Sequence, residues 1–319
     1  KTTDGGISWE IVSPDLTRDE EDKQGPGGGP FTNEAAGGEN YNTITYLVES
    51  PHEEGILYAG TDDGLIHITK DGGDSWENIT PKNLASGIVN SIEVSPHDPA
   101  TAYAVVMRYK SMDLKPYIFK TSNYGKSWSS IVEGINGDHT FVRVVREDKK
   151  KKGLLYAGTE TGMYVSWNDG KEWVPFQLNL PVVPVNDLYI HDNDLVAATA
   201  GRSFWILDDL APIQNRVRPE EEMAIFKPKD TYLFFGGNSS DNDIGKNPPM
   251  GVIIDYYLAE KPADSIPLKL EILHEDKPIR TLSSIAPEDF SSWPGGPSKP
   301  LVLPAKKGYN RVAWNFRQE

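Results

Sequence analysis

A chain of 319 residues with 38% hydrophobic and 10% aromatic content can fill two packed cores, so two domains are expected and a disordered chain is excluded. The formal net charge of −15 argues against a nucleic-acid backbone or an anionic membrane as partner, since both require a basic face. With no cysteine there are no disulfides, thiolate metal sites or cysteine nucleophiles, and no apolar run is long enough to span a membrane.

The first element is a turn phrase that the chain writes four times. It reads Thr2-Thr3-Asp4-Gly5-Gly6-Ile7-Ser8-Trp9, then Thr69-Lys70-Asp71-Gly72-Gly73-Asp74-Ser75-Trp76. Looser copies run from Thr121 through Asn123 and Gly125 to Trp128, and from Ser166 through Asn168 and Gly170 to Trp173. The common form is Ser/Thr-x-Asp/Asn-x-Gly-x-x-Trp. A short acceptor side chain and a hydroxyl lock the following backbone, and glycine supplies a positive φ. The Trp then opens the next strand with a large apolar ring. Asn in place of Asp keeps the acceptor and loses the charge, which suits a turn and would ruin a catalytic acid. Asp4, Trp9, Asp71, Trp76, Asn123, Trp128, Asn168 and Trp173 are therefore read as structural. The phrase is the Asp-box, or BNR, repeat.

Residues 10–40 break this rhythm with charged, Gly/Pro-rich and small polar stretches, and read as a long insertion. Strand patterns then recur around each Asp-box, as in Tyr46-Leu47-Val48-Glu49 with Ile56-Leu57-Tyr58-Ala59-Gly60-Thr61. Four antiparallel strands in about 40–50 residues make a β-propeller blade. Blades are expected at 42–83, 88–133, 140–179 and 184–210, with the first Asp-box as the tail of another. Four blades and a part are expected to belong to a larger ring, completed by more of the same protein or by a partner. Pro212 to Glu222 reads as a linker, giving expected domains of 1–221 and 222–319. In the second, strands are expected at Tyr232–Phe235, Val252–Leu258, Leu268–Leu273, Ile279–Leu282 and Arg311–Phe316, in the manner of an incomplete Ig-like β-sandwich.

Together the Tyr58-to-Gly64 run, the Asp-boxes and Gly201-Arg202-Ser203-Phe204-Trp205-Ile206-Leu207-Asp208-Asp209 resemble a family of exported bacterial proteins with sortilin-type, BNR-repeat propellers, often labelled sialidase-like or glycosyl hydrolase-like. Val252–Leu258 and Gly308–Trp314 are similar to the sandwich that follows those propellers, and to that of flagellar hook-capping proteins. The resemblance implies a periplasmic, outer-membrane-associated or secreted protein of the cell envelope. It attaches no reaction.

Residues that recur from blade to blade are expected to be structural, and this applies to His52 and His97 in matched Ser-Pro-His turns. A site should use residues that break the repeat. Asp62 and Asp63 are the weak catalytic candidates, should the chain be a glycosidase with paired carboxylates. Arg108 and Tyr109, on a lengthened loop, and Arg202 and Trp205, at the last blade, are the ligand-binding candidates. Arg202 is also a candidate for pairing with Asp208 or Asp209. The Arg-Ile-Pro signature of sialidases is missing, as are hydrolase and phosphate-loop motifs. No cofactor or metal is expected. The leading expectation is a non-catalytic binding or scaffolding protein for a peptide, glycan or partner protein.

Overall fold

All four Asp-boxes fold by the same hydrogen bonds, and those bonds build the first of two compact units, Lys1–Leu207 and Asp208–Glu319. The computed structural model describes residues 1–24, 41–217, 220–232, 249–263, 265–287, 290, 291, 293 and 300–317. In the second box Thr69 Oγ1 donates to Asp71 Oδ1 at 2.7 Å and accepts from Gly73 N–H at 3.0 Å, while Asp71 Oδ1 accepts from Ser75 N–H at 2.9 Å. The Ser75 hydroxyl also donates to this carboxylate and leads the hydrogen bonds that hold its pKa down at about 2. In the third and fourth boxes Asn123 and Asn168 accept from Ser127 N–H and Glu172 N–H at 2.9 and 3.0 Å, so the amide oxygen takes over the backbone contact, while Asn123 Nδ2 donates to the Ser127 hydroxyl where Asp71 accepts from Ser75.

Each box joins the third and fourth strands of a meander. The first sheet is β1 (Ile44–Glu49), β2 (Leu57–Thr61), β3 (Ile66–Thr69) and β4 (Glu77–Asn78), paired in that order. The second is β5 (Ile88–Val94), β6 (Ala102–Met107), β7 (Ile118–Thr121) and β8 (Ser129–Ser130). The third is β9 (Val142–Glu147), β10 (Leu155–Thr159), β11 (Gly162–Ser166) and β12 (Val174–Pro175). The fourth has three strands, β13 (Val185–His191), β14 (Asp194–Thr199) and β15 (Phe204–Leu207). First strands of successive sheets touch, β1 on β5, β5 on β9 and β9 on β13. Sheets stacked in this way, inner strand beside inner strand, are propeller blades.

Two ladders fasten blade to blade. Trp76 Nε1 donates to Val12 O at 2.8 Å, Trp128 Nε1 to Ile79 O at 2.6 Å, and Trp173 Nε1 to Ile131 O at 2.7 Å. Each acceptor lies three residues after the preceding box Trp. The matched histidines form the second ladder, with His52 Nε2 against Ser95 O at 2.8 Å and His97 Nε2 against Asp148 O at 2.7 Å. They are turn fasteners, as expected. Matched tyrosines in the second strands behave less uniformly. Tyr103 donates to Asp169 and Tyr156 to Asp148, whereas the buried Tyr58 hydroxyl has no partner. Tyr124 occupies the box position that Asp169 holds one blade later, and so offers no carboxylate.

The second unit begins at Asp208, upstream of the 221/222 boundary suggested by composition. The Pro-rich stretch contains a helical turn, α1 (Ala211–Gln214). A sheet of β16 (Met223–Ile225), β17 (Val252–Leu258) and β20 (Gly308–Trp314) shares a core with the hairpin β18 (Lys269–His274) and β19 (Lys277–Ser283), through Ile254, Tyr256, Val312 and Leu282. Buried Asp255 takes both arms of its cross-strand neighbour Arg311 at 2.8 and 2.9 Å. The expected strand at Tyr232–Phe235 lies, beyond Tyr232, outside the described residues.

Asn123→Asp should leave the melting temperature nearly unchanged, because the first two boxes already use Asp. Asn123→Ala should cost about 1 kcal/mol by removing the acceptor of the Ser127 N–H. Gly158→Ala should be worse, since a Cβ there would lie 2.8 Å from Val185 Cγ1 and 3.0 Å from its carbonyl oxygen. Thermal melts of the three variants check this order.

Candidate functional site

Strand alternation sorts the candidate residues before any contact is considered. In a meander, the turn between second and third strands lies at the end opposite the Asp-box turn. Asp62 and Asp63, the Arg108–Asp113 loop and Arg202 all occupy this position in their blades, so one end of the propeller gathers them. Trp205 lies just inside it, on β15.

The structure gives Asp62 and Asp63 defined partners. Asp62 Oδ1 accepts from Thr43 N–H at 2.9 Å and Oδ2 from the Thr43 hydroxyl at 3.2 Å. Burial pushes its pKa up, and the Thr43 bonds oppose that shift. Asp63 is wholly buried; its carboxylate accepts from Arg18 N–H at 2.6 Å and from the Thr61 hydroxyl at 2.5 Å. Its carbonyl takes Arg18 Nε and the Ser86 hydroxyl. Both side chains thus tie the loop before β1 and the segment around Arg18 to the first blade.

Arg108 continues this chain of contacts, donating from Nε to Ser86 O at 3.1 Å. It also pairs with Asp113 and lies 5.6 Å over the Tyr117 ring, while Tyr117 Oη donates to Asp113 at 2.8 Å. The lengthened loop is braced from within, and its tip is left outside the brace. Tyr109 stacks on Phe141 with ring centroids 5.6 Å apart, and the Arg143 guanidinium lies 5.1 Å from the Phe141 ring. Arg143 is held by Glu160 from the third blade at 2.8 Å. Met112 stands 86% exposed at the tip, with a left-handed φ of 57°.

Structure therefore brings Asp63 and Arg108 together through Ser86 and sets both Tyr109 and Arg143 against Phe141. It does not bring Arg202 or Trp205 into that contact chain: Arg202 is exposed, and Trp205 donates from Nε1 to the Arg202 carbonyl. Trp205 instead lines an apolar pocket of about 60 Å³ beside β15. Phe141, Arg143 and Met112 were not singled out from sequence. Met112 sits inside the lengthened loop, so the repeat break was the available signal. Among the described residues no group of three or more His, Asp or Glu is placed to hold a metal.

A second polar locus lies on the inner strands. Arg146 of β9 donates to Asp187 at 2.7 Å, Ser91 at 2.9 Å, Leu188 O at 2.9 Å and Tyr46 Oη at 3.2 Å. One guanidinium thus joins the inner strands of all four blades. Glu93 is 3.5 Å away, and burial, outweighing the attraction of Arg146, pushes its pKa up to about 7.

The sign of the effect follows directly. Below about pH 4.5 Glu93 is protonated in both folded and unfolded chains, and the stabilisation from its raised pKa is fully present. As pH rises through 7 that stabilisation is lost, on the order of 3 kcal/mol. Glu93→Gln should flatten the fall in melting temperature between pH 5 and 8. An unchanged slope would show that other groups set it.

No protein-family model and no curated protein sequence matches the chain. Among solved structures it is similar to a GH74 xyloglucanase from Xanthomonas campestris, with 17% identity and a TM-score of 0.44 over 70% of this chain and 35% of that one. It is also similar to YCF48 bound to D1 peptide, with 19% identity and a TM-score of 0.39 over 52% of each chain. A third likeness is to the extracellular domain of a one component system from B. thetaiotaomicron, at 16% identity and a TM-score of 0.39, over 52% of this chain and 21% of that one. The chain thus spans about half the length of YCF48, 35% of the xyloglucanase and 21% of the extracellular domain. The propeller assignment rests on the blades' own pairing, and likenesses this remote carry no argument about activity.

Proposed function

We propose that this chain is a binding or scaffolding part of an exported bacterial BNR-type propeller, with an Ig-like sandwich as its second unit. The end opposite the Asp-boxes recognises a peptide or a partner protein. The observation that carries this reading is the loop tip of the second blade. Tyr109 and Met112 present apolar surface to solvent while Arg108, Asp113 and Tyr117 hold the loop rigid. A rigid aromatic and a polarisable thioether are effective protein-binding groups, because little conformational entropy is lost when they are covered. Support against hydrolysis comes from Asp62 and Asp63, whose oxygens accept bonds that hold loops in place. A glycosidase acid or base would face a cleft.

Selection of a displayed peptide library on the immobilised chain, beside a glycan panel, tests this. Recovered peptides should lose at least tenfold in affinity to the Tyr109→Ala, Met112→Ser double variant. Hydrolysis of any polysaccharide that disappears in Asp62→Asn would replace this reading with the glycosidase one.

A further inference from the structure

The pocket beside β15 repeats a slot that is filled elsewhere in the same unit. Ala157 of β10 pairs with Val145 and Tyr164, and Ala197 of β14 pairs with Leu188 and Trp205, so the two alanines are equivalent. That register sets Leu195, Ala197 and Trp205 of the fourth blade where the third has Leu155, Ala157 and Tyr164. One blade earlier, Met163, Phe176 and Leu180 stand where the second has Ile118, Ile131 and Ile135. The Ile118 set packs around the indole of Trp173, and the Met163 set lines the pocket. The pocket is therefore the place of an Asp-box Trp. β15 runs on through Asp208 and Asp209 into the second unit, so connecting chain stands where the box would be.

The hydrogen-bond partner of the ring is also in place. Ile79 O and Ile131 O take the indole N–H of Trp128 and Trp173, and the equivalent carbonyl here is Phe176 O. Phe176 N–H donates to Met163 O at 2.8 Å, as Ile131 N–H does to Ile118 O at 3.0 Å. The Met163 N–H turns to Gln177 Oε1 at 3.2 Å, and among the described residues no donor reaches Phe176 O. An apolar slot that ends on an unpaired carbonyl matches an aromatic ring with a single N–H.

The dock for a strand, by contrast, is gone. In the second blade the turn 132–135 has a positive φ at Gly134, and Glu133 O accepts from Trp173 N–H at 2.8 Å. A Cβ at Gly134 would lie 2.1 Å from Trp173 O, so the glycine makes room for that main chain. In the third blade the turn 177–180 has Asn179 in the glycine's place, and its positive φ of 45° falls on Leu178. Moving the positive φ from the third turn residue to the second turns over the peptide between them. The carbonyl that receives a Trp main chain is thereby turned away, while the slot for the ring remains.

We infer that this slot is a binding site for a ligand carrying an indole ring, which enters edge first and donates its N–H to Phe176 O. The pocket holds about 60 Å³. That is less than the roughly 150 Å³ of a cavity that admits benzene, as expected of an apolar slot that closes in part without its ring. The ring enters by displacing the mouth, where Leu178 is 65% exposed and Asn179 is exposed, so no core contact is lost. The site uses neither Tyr109 nor Met112, and its failure would leave the loop-tip reading intact.

Titration of the full chain, labelled at its methionine methyl groups, with indole and with N-acetyl-tryptophanamide tests this by NMR. The chain has five methionines, and Met163 is the one that lines the pocket. Its methyl signal should move upfield and saturate with indole, while those of Met107, Met112, Met223 and Met250 stay in place. Saturation by indole alone would assign the site to a free small molecule, and equal saturation by N-acetyl-tryptophanamide to a tryptophan side chain; both sustain the inference. 1-Methylindole, which has no N–H, should bind roughly fivefold more weakly through loss of one hydrogen bond. Ala197→Leu should fill the slot and abolish the shift. Leu178→Glu, at the exposed mouth and outside the cores, should weaken binding even if Ala197→Leu fails to fold; thermal melts check both. A Met163 signal that does not move, equal binding of 1-methylindole, or a titration unchanged by Leu178→Glu would overturn the inference.

Discussion

The structure depends on one hydrogen bond made three times: an indole N–H given to the carbonyl three residues beyond the previous box Trp. A backbone carbonyl covered by a neighbouring blade needs a donor, because an unpaired buried polar group costs about 1–3 kcal/mol. The indole supplies that donor and covers the junction with its ring. Position and burial are thereby set together. The Asp-box turn places the Trp so that its indole reaches the neighbouring blade.

Much of this was legible in sequence because it repeats. The boxes, the Ser-Pro-His turns and the strands at Val252–Leu258 and Arg311 onward announce themselves by spacing or alternation. Arg146 does not, for a physical reason. Its partners lie on four different strands, and Tyr46 is 100 residues away in the chain. No local pattern marks an arginine whose role is fixed by ring geometry. Asp62 and Asp63 teach the reverse lesson. An acidic pair in a non-repeating turn looks like chemistry in sequence, and in the structure its oxygens accept from Thr43, Thr61 and Arg18. The tyrosines Tyr58, Tyr103 and Tyr156 read as identical, yet Tyr103 donates to Asp169 one blade on, Tyr156 to Asp148 in its own blade, and Tyr58 to nothing.

The acidic character of the chain acquires a more local meaning from the same bonds. Asp4 and Asp71 are held below the usual carboxylate range by hydroxyl and N–H donors of their own turns, led by Ser8 and Ser75. Asp255 is neutralised across its strand pair by Arg311. Part of the negative charge is thus structural mortar. The loop tip adds apolar surface beside this charge, with Met112 exposed and Tyr109 stacked on Phe141.

The ladder of indoles also has a direction. Each of the first three blades gives its donor backward, to a carbonyl three residues beyond the previous box Trp, so a stretch of box-bearing blades has one donor end and one acceptor end. Duplicating or deleting a whole blade leaves both ends chemically unchanged. The junction chemistry therefore does not by itself specify the number of blades.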